Sequence, residues 1–429
     1  MYYLAVDIGV AVGRHMLGRV QDGQIKYEEI HRFPTGIAKS QVSQEYERMA
    51  HEIIKGLKKC AELKKIPKSV GITAWGMDFV LLNNRMEVIP QTVYHRNVPQ
   101  GIDKKVSQII SEGDLYARTG ILNTPGSTIY QLAAVKDSLK DAAVLLMLPD
   151  FLHYRLCGVA ASEYTIATTA GMVNVKTRGW DEDIISALGY PRGIFRKILP
   201  SGTVLGELTP GVQKAVGFNC KVVLPASHDN ASAVMSIESP ANTMYINSGT
   251  WSLMGAVRSV PDCTPGSLSA KLSGIGGHAW SYLYQKSIMG LWMLQRVKKE
   301  FDDEFSFTQL SELASLSSNK SVVDVSAAHY LNPPNMISAI QTDCFFTDQT
   351  VPLTAGDVAA IIFNSMAVSY RDTAAEIEGL TQKSYSTIYI LGTGARANHL
   401  NKLTADLLGK KIKAGHVDAA AMGNLRVQC

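Results

Sequence analysis

Cysteine pairs are missing from this chain of 429 residues, because its six cysteines are scattered and none belongs to a Cys-x-x-Cys motif. This pattern argues against a disulfide framework or a structural zinc site and favours a reducing compartment. Long apolar runs are missing too, since no stretch approaches the roughly 18 residues of a membrane-spanning helix. The opening segment MYYLAVDIGVAVGR has no basic residues ahead of its apolar stretch and carries Asp7, so it predicts a strand and not a signal peptide. A cytoplasmic protein with no membrane partner is expected.

An excess of either charge is also missing. Lysine and arginine number 42 against 38 aspartates and glutamates, for a net charge of +4. The densest basic cluster, from Lys55 to Lys65, alternates with apolar residues at helical spacing and indicates a solvated helix face. A nucleic-acid partner is therefore not predicted. The length suggests two or three domains with full cores, and the oligomeric state is expected to be monomer or homodimer.

Two common nucleotide-binding motifs do not occur. The sequence has neither a Walker A motif nor Gly-x-Gly-x-x-Gly after its first strand, which argues against P-loop proteins and dinucleotide-dependent dehydrogenases. The pair His51-Glu52 lacks the second histidine of a His-Glu-x-x-His zinc peptidase motif.

Strand-like and helix-like segments do alternate along the chain, which predicts an α/β protein. A strand at 3–6 meets Gly9 and Gly13 and returns at 15–20 as a hairpin. A similar unit, 243–246 and 252–257 around Ser248-Gly249-Thr250, opens a second half, so we predict domains at 1–238 and 239–429. Further strands are predicted at 70–75, 144–148, 221–224 and 387–391, and helices at 45–65, 291–301, 355–378 (capped by Thr354) and 398–408 (closed by Gly409).

Three glycine-containing turns follow predicted strands: Asp7-Ile8-Gly9, Ser248-Gly249-Thr250 and Gly392-Thr393-Gly394. Glycine lets backbone N–H groups approach phosphate oxygens closely. Each turn taken singly is more typical of a plain hairpin than of a phosphate site.

The segment Pro225–Ala233 places the polar residues Ser227, His228 and Asp229 where an apolar strand ends and a helix begins. Ligands of α/β sheets bind at the carboxyl ends of strands, and an aspartate there can accept a proton from a sugar hydroxyl. The alternative, an aspartate that only caps the next helix, stays open on spacing alone. Trp75, beside Gly76, could support a sugar ring, although taken alone it favours a core position.

Many ordered segments together resemble one known family. They are VDIG with GRHMLG, WGMDFVLL, PDFLHYRLCG with SEYTIATT, KTRGWDEDI, ASHDNASAV, NSGTWSLMG, IMGLWMLQ, LNPPNM and LTADLLGKKIKAGHVDAAAMGN. This pattern is similar to the FGGY family of carbohydrate kinases, and within it to the branch that acts on the ketose L-rhamnulose. The resemblance implies two ribonuclease-H-like domains of the actin-like ATPase type, with ATP, Mg²⁺ and sugar in the cleft between them.

The resemblance also implies transfer of the γ-phosphoryl group of ATP to the 1-hydroxyl of the ketose, and it assigns roles to residues. Asp229 is the expected general base, and Asp7 is expected to hold Mg²⁺ through water. The expected sugar-binding residues are Gly76, His228, Asn230 and Ser287, and the expected nucleotide-binding residues are Gly9, Gly13, Arg14, Thr250, Gln295, Thr393 and Gly394.

The chain departs from the family pattern at several of these places. Ala11 and Val12 replace two serines, Thr73 replaces an aspartate, the loop 94–101 loses or displaces its arginines, Ser287 replaces an asparagine and Thr393 replaces a glycine. The final segment, Gly423 to Cys429, predicts a helix cut short after about two turns, so the C-terminal helical part of the family is expected to be missing. Two hypotheses follow: a working sugar kinase with a modified pocket, or a non-catalytic relative that binds sugar or nucleotide.

Overall fold

The fold was obtained as a computed structural model, which describes residues 1–38, 41–240 and 242–429. Strands and helices alternate, so the predicted α/β class is confirmed. The chain divides into two units: the first holds Met1–Ser236, Arg258–Tyr284 and Ala420–Cys429, and the second holds Ile237–Val257 and Gln285–Ala419. The predicted domain ranges, 1–238 and 239–429, stay a prediction.

The first 236 residues supply most of the first unit. The strands are β1 (Tyr2–Ile8), β2 (Val12–Gln21), β3 (Gln24–Pro34), β4 (Pro67–Ala74), β5 (Phe79–Leu82), β6 (Val144–Met147), β7 (Ser162–Glu163), β8 (Ile198–Leu199), β9 (Val204–Glu207) and β10 (Lys221–Val223). The helices are α1 (Val42–Glu62), α2 (Ile102–Ser107), α3 (Glu112–Thr119), α4 (Thr128–Ala134), α5 (Leu148–Cys157), α6 (Tyr164–Thr168), α7 (Glu182–Ala187), α8 (Pro210–Val216) and α9 (Asp229–Met235).

The rest of the chain returns to the first unit twice. Its strands are β11 (Thr243–Ser248), β12 (Trp251–Arg258), β13 (Ser273–Gly276), β14 (Tyr282–Met289), β15 (Thr387–Leu391) and β16 (Lys411–Ala414). Its helices are α10 (Pro265–Ser269), α11 (Trp292–Glu300), α12 (Phe307–Leu316), α13 (Met336–Phe346), α14 (Ala355–Thr381), α15 (Asn398–Leu408) and α16 (Ala419–Gln428). None of the helices among the described residues is both long and apolar enough to cross a membrane.

The sheet of the first unit has the order β3-β2-β1-β4-β10-β9. β1 pairs with β2 as the predicted antiparallel hairpin, while β1, β4 and β10 run parallel. β1 is buried on both faces, which explains its nearly continuous apolar sequence. Its alternate residues Leu4, Val6 and Ile8 share a core with α1, and Tyr3 and Ala5 share a smaller core with α16.

Two features of this unit differ from expectation. β3 was not predicted, because it lies at the sheet edge, where most of its residues are polar and not buried. The last helix, α16, begins at Ala419 and packs on the first sheet, where Asn424 Nδ2 donates to the carbonyl of Gly71 at 3.0 Å.

The sheet of the second unit contains β14, β12, β11, β15 and β16 in that order. β11 and β12 form the predicted hairpin, and β15 and β16 continue the sheet in parallel. The predicted cap of α14 is confirmed, since Thr354 Oγ1 accepts from the N–H of Asp357 at 3.1 Å. Helix α15 has the predicted bounds and ends at Gly409, which adopts φ of +60°.

Candidate active site

The parallel strands β1, β4 and β10 bring three loops to one edge of the first sheet. Asp7 pairs with Thr73 in the register of β1 and β4, and Ala74 at the end of β4 forms a bridge with His228 after β10. Because carboxyl ends of parallel strands meet at the same edge, polar residues far apart in the chain become neighbours here. We call this edge the first-unit site.

The turn between β1 and β2 holds the first group of predicted residues. Arg14 Nη2 donates to Asp7 Oδ2 at 2.8 Å, a charge-assisted bond between partners in the hairpin register. Gly9 closes the turn, with its N–H donating to the carbonyl of Val12 at 3.0 Å. Thr35 steadies the turn from the side, since its hydroxyl donates to the carbonyl of Gly9 at 2.6 Å. The backbone of this turn therefore keeps a defined shape even though Ala11 and Val12 carry no hydroxyl.

Gly13 is required here by packing. A Cβ atom on Gly13 would lie 2.3 Å from the Phe33 ring, and a real Cβ does not approach another atom so closely. Phe33 is itself 3% exposed and belongs to the main core of the unit, so its ring has little room to move.

Gly13→Ala is therefore expected to destabilise the protein by about 1–3 kcal/mol, the usual cost of overpacking a core. Thermal unfolding followed by circular dichroism measures the effect. The matched control is Gly36→Ala, because no atom lies within 4 Å of a Cβ placed there. Equal melting temperatures for the two variants would contradict the packing argument.

The turn between β10 and α9 holds the second group. His228 precedes the helix, Asp229 is its first residue, and Asp229 Oδ1 accepts the N–H of Asn230 at 2.6 Å. The side chain of Asp229 is nevertheless 37% exposed, so it is not enclosed in packing. Burial by the surrounding atoms, together with the like charge of Asp7, raises the pKa of Asp229 to about 7. A carboxylate that titrates near neutral pH and meets solvent can exchange a proton with a ligand.

His228 complements this carboxylate. Its Nε2 lies 3.4 Å from Asp229 Oδ1, and burial lowers the pKa of the imidazole to about 4. The ring is therefore neutral at physiological pH, with one nitrogen that donates and one that accepts. Its Nδ1 has no hydrogen-bond partner among residues 1–38, 41–240 and 242–429.

The loop after β4 adds Gly76, which is buried against Thr169. A Cβ on Gly76 would lie 3.0 Å from the Thr169 side chain, whose hydroxyl accepts from the N–H of Met77 at 3.0 Å. Trp75 is 6% exposed and lies in the main core, so the core interpretation of this residue is confirmed. Its indole N–H donates to Asp78 at 2.8 Å.

Asp78 also anchors the loop 94–101, in which the arginines of the family pattern are lost or displaced. Its carboxylate accepts from the backbone N–H of His95 at 2.8 Å and lies 2.7 Å from His95 Nδ1. Burial alone would raise the pKa of Asp78, but the bonds from His95 and Trp75 outweigh burial and lower it. The loop 94–101 is therefore held to Asp78 by His95, which stands where the family pattern has an arginine.

In the second unit, two segments contact the β11–β12 turn, namely α11 and the Gly392–Gly394 turn. The N–H of Trp292 donates to the carbonyl of Thr250 at 3.1 Å, and Gln295 Nε2 lies 3.4 Å from Thr250 Oγ1. Thr393 Oγ1 donates to the carbonyl of Ser248 at 3.4 Å. Thr250, Gln295, Thr393 and Gly394, predicted to bind nucleotide, are therefore neighbours within this unit, although that role stays a prediction.

A cavity of about 870 Å³ adjoins these segments in the second unit. Its walls include Gln295, Phe363, Thr393, Arg396 and Lys402. The volume lies within the range of pockets that hold small molecules, and the aromatic ring suits a nucleobase, while the cations Arg396 and Lys402 share the wall with the carboxylates of Glu312 and Asp406. The residues present therefore fit a nucleotide.

Ser287 lies on β14 in the second unit, with an exposed side chain. Its predicted part in sugar binding stays a prediction.

The described residues contain no group of three or more His, Cys, Asp or Glu side chains able to hold a metal ion. Mg²⁺ commonly binds proteins through one or two carboxylates, with water and phosphate oxygens completing its shell. Asp7 and Asp229, close enough for the charge of Asp7 to raise the pKa of Asp229, fit that mode.

Sequence reasoning missed the supports of the first-unit site, namely Thr35, Asp78, Asp150, Glu163 and Thr165. The only signal was that four of these residues lie in segments shared with the family: Asp78 in WGMDFVLL, Asp150 in PDFLHYRLCG, and Glu163 and Thr165 in SEYTIATT.

Two α/β units with strand–glycine turns, one bearing the Asp7–Asp229 edge, give the actin-like ATPase fold, which solved sugar kinases share. A ligand-bound xylulose kinase from Lactobacillus acidophilus superimposes with a TM-score of 0.80 at 15% identity, covering 99% of this chain and 88% of that one. A Plasmodium falciparum glycerol kinase with ADP gives 0.74 at 11% identity, with coverages of 99% and 88%. At these identities the likeness establishes the fold.

The family follows from the sequence comparisons. Residues 2–236 match the N-terminal domain of the FGGY family of carbohydrate kinases, and residues 244–429 match its C-terminal domain. A rhamnulokinase from Oceanobacillus iheyensis is 40% identical over 99% of this chain and 92% of its own length. One from Halalkalibacterium halodurans is 41% identical, with coverages of 100% and 93%. The chain belongs to the FGGY family and is an enzyme, a carbohydrate kinase.

Proposed function

We propose that this protein transfers the γ-phosphoryl group of ATP to the 1-hydroxyl of L-rhamnulose, giving L-rhamnulose 1-phosphate. The observation that carries the proposal is Asp229, a solvent-accessible carboxylate at a strand end with a pKa raised to about 7. The choice of rhamnulose is supported by relatives named rhamnulokinase that are 40% and 41% identical over nearly the whole chain.

In the proposed mechanism, Asp229 accepts the proton of the ketose hydroxyl as that oxygen attacks phosphorus. His228 has a neutral ring that can donate from one nitrogen and accept at the other, so it orients the sugar beside the Asp229 carboxylate. Asn230 and Gly76 line the same sugar site. ATP supplies the phosphoryl group, and ADP leaves as the bond between the γ-phosphorus and its bridging oxygen breaks. Asp7 and Asp229 would hold Mg²⁺, which would offset the charge of the phosphates. Arg14 holds the Asp7 carboxylate in place through their ion pair.

The second unit supplies the nucleotide site in this proposal. Thr250, Thr393 and Gly394 hold phosphate through the turns they form, and Gln295 contacts the nucleotide beside them. The cavity with Arg396 and Lys402 receives the base and ribose. Phosphoryl transfer needs alignment and charge stabilisation more than covalent chemistry, so these contacts account for most of the catalysis. The free cysteines of the chain favour a cytoplasmic setting, where ATP is available.

The non-catalytic alternative is not favoured. Relatives named as rhamnulokinases match along nearly the whole chain, and Asp229 with its neighbours His228 and Asn230, as well as Asp7 and Gly9, is kept from the family pattern. Of the departures, Thr73 lies 3.5 Å from Asp7 through its hydroxyl, so it keeps a polar neighbour for that carboxylate.

The purified protein is expected to release ADP from ATP with L-rhamnulose at least about tenfold faster, as kcat/KM, than with L-fuculose or D-xylulose. A difference of that size corresponds to about 1.4 kcal/mol of transition-state binding, the contribution of one hydrogen bond in a pocket. A coupled ADP assay with magnesium measures it, and phosphorus NMR identifies the product ester. Preference for another ketose would overturn the substrate, and no turnover with any ketose despite measured ATP binding would favour the non-catalytic alternative.

A further inference from the structure

A buried carboxylate lies directly behind the turn that carries Asp229. Glu163, at the end of β7, is fully buried. Its Oε2 accepts from the Thr165 hydroxyl at 2.6 Å, from the N–H of Ile166 at 3.1 Å and from the N–H of Ser227 at 3.1 Å. One oxygen thus caps α6 and holds the chain just before the proposed base.

Thr165 extends this contact by one residue. Its hydroxyl gives its proton to Glu163 and, at the same oxygen, accepts from the N–H of His228 at 3.1 Å. The two N–H groups that precede Asp229, those of Ser227 and His228, are therefore both held by the Glu163–Thr165 pair. On the other side, the N–H of Ala74 donates to the carbonyl of Ser227 at 2.9 Å. The turn is fixed from β4 and from β7 at once.

The arrangement is not one that stability alone would favour. Asp150 Oδ1 accepts the N–H of Glu163 at 3.1 Å, so two fully buried carboxyl groups are neighbours. Glu163 Oε1 and Asp150 Oδ2 have no hydrogen-bond partner among the described ranges 1–38, 41–240 and 242–429. Burying such groups is costly, and proteins keep local violations of this kind mainly where function needs them.

We infer that Glu163 and Thr165 are positioning residues of the phosphoryl-transfer site, which orient Asp229 by fixing the two backbone N–H groups before it. The inference deepens the proposed function and rests on Asp229 as the base. Positioning matters because a displacement of about 1 Å at a reacting group can lower a rate about a hundredfold.

The test compares Thr165→Val with Thr165→Ser. Valine keeps the shape of threonine but removes both hydrogen bonds of its hydroxyl, whereas serine keeps the hydroxyl. Thr165→Val is expected to lower kcat by about tenfold to a hundredfold, with less than about threefold change in KM for ketose or ATP, and Thr165→Ser to restore most of kcat. A purely structural role would lower the melting temperature and the yield of active protein, without a selective loss of kcat at constant KM.

The outcomes separate the inference from the function. The inference alone is overturned if the wild type is active and the valine and serine variants have equal kcat. It is also overturned if Thr165→Val changes KM and leaves kcat unchanged. A wild type that phosphorylates no ketose overturns the proposed function and this inference with it. If Thr165→Val does not fold, Glu163→Gln is the deciding variant, because it keeps the shape of the side chain but weakens the acceptor of the Ser227 N–H. A kcat lowered at least about threefold with KM unchanged then supports positioning. An unchanged kcat overturns it.

Discussion

Asp229→Asn is expected to lower kcat for ketose phosphorylation by about 10²–10⁴-fold, the usual contribution of a general base. Asparagine has nearly the shape of aspartate but cannot accept the proton of the sugar hydroxyl. Binding should survive, because His228 and Asn230 keep their places and the amide oxygen of residue 229 can still accept the N–H of Asn230. Steady-state kinetics and calorimetric titration with L-rhamnulose measure the two effects separately.

The same variant should lose no stability. The pKa of Asp229 is raised from its usual value of 3.8 to about 7, so the folded protein binds this proton more tightly than the unfolded chain does. The stability that this proton contributes is fully present below pH 3.8 and is lost as the pH rises through about 7. Asparagine does not titrate, so in buffer without magnesium the melting temperature of Asp229→Asn relative to wild type should be higher at pH 8 than at pH 5.

The control for this experiment is Asp137→Asn, a change at an exposed aspartate of a short 3₁₀ helix. It should alter neither kcat nor the pH dependence of melting. If Asp229→Asn turns over as fast as the wild type, the carboxylate is not the general base. If ligand binding weakens as much as kcat falls, Asp229 acts as a binding group and not as a base.

The elements that sequence predicted well are those whose local pattern and tertiary environment agree. The strand 387–391 and helix 398–408 have the predicted bounds, because β15 is a short, mostly buried run and α15 ends at a left-handed glycine. β3 was missed, because an edge strand with mostly polar residues gives no hydrophobic alternation. The placement of α16 on the first sheet depends on contacts between residues some 350 positions apart, such as Asn424 with Gly71, and no local pattern reports those.

The candidate site shows the same division. Asp229 could be proposed from sequence, because a polar triplet after an apolar strand marks a strand end that faces ligands. Its burial and its proximity to Asp7, which together raise its pKa, come from the parallel pairing of β1, β4 and β10, which no local pattern in the sequence reveals. Glu163 drew no prediction of its own from the sequence, and it is fully buried. Buried polar groups are placed by the whole fold, and short patterns cannot reveal them.

Gly394→Ala tests the nucleotide side of the proposal. A Cβ on Gly394 would lie 2.3 Å from both Cβ and Oγ of Ser248. The Ser248 Cβ is fixed by the backbone of β11, where Ser248 pairs with Ser252, so it cannot rotate away from the added methyl group. The Gly392–Gly394 turn must therefore withdraw from the β11–β12 turn and carry Thr393 with it.

To bind ATP, the variant must bring the displaced turn back against this overpacking, at a cost of about 1–3 kcal/mol. KM for ATP is therefore expected to rise about tenfold to a hundredfold. KM for the ketose should stay within about twofold, because the proposed sugar residues Gly76, His228 and Asn230 belong to the first unit. Gly379→Ala on α14 is the matched control, since no atom lies within 4 Å of a Cβ placed there, and alanine suits a helix better than glycine. Unchanged KM for ATP in Gly394→Ala, or a rise in KM for ketose alone, would show that this turn does not hold the nucleotide, and the assignment of Thr393 and Gly394 would then fail while that of Asp229 stood.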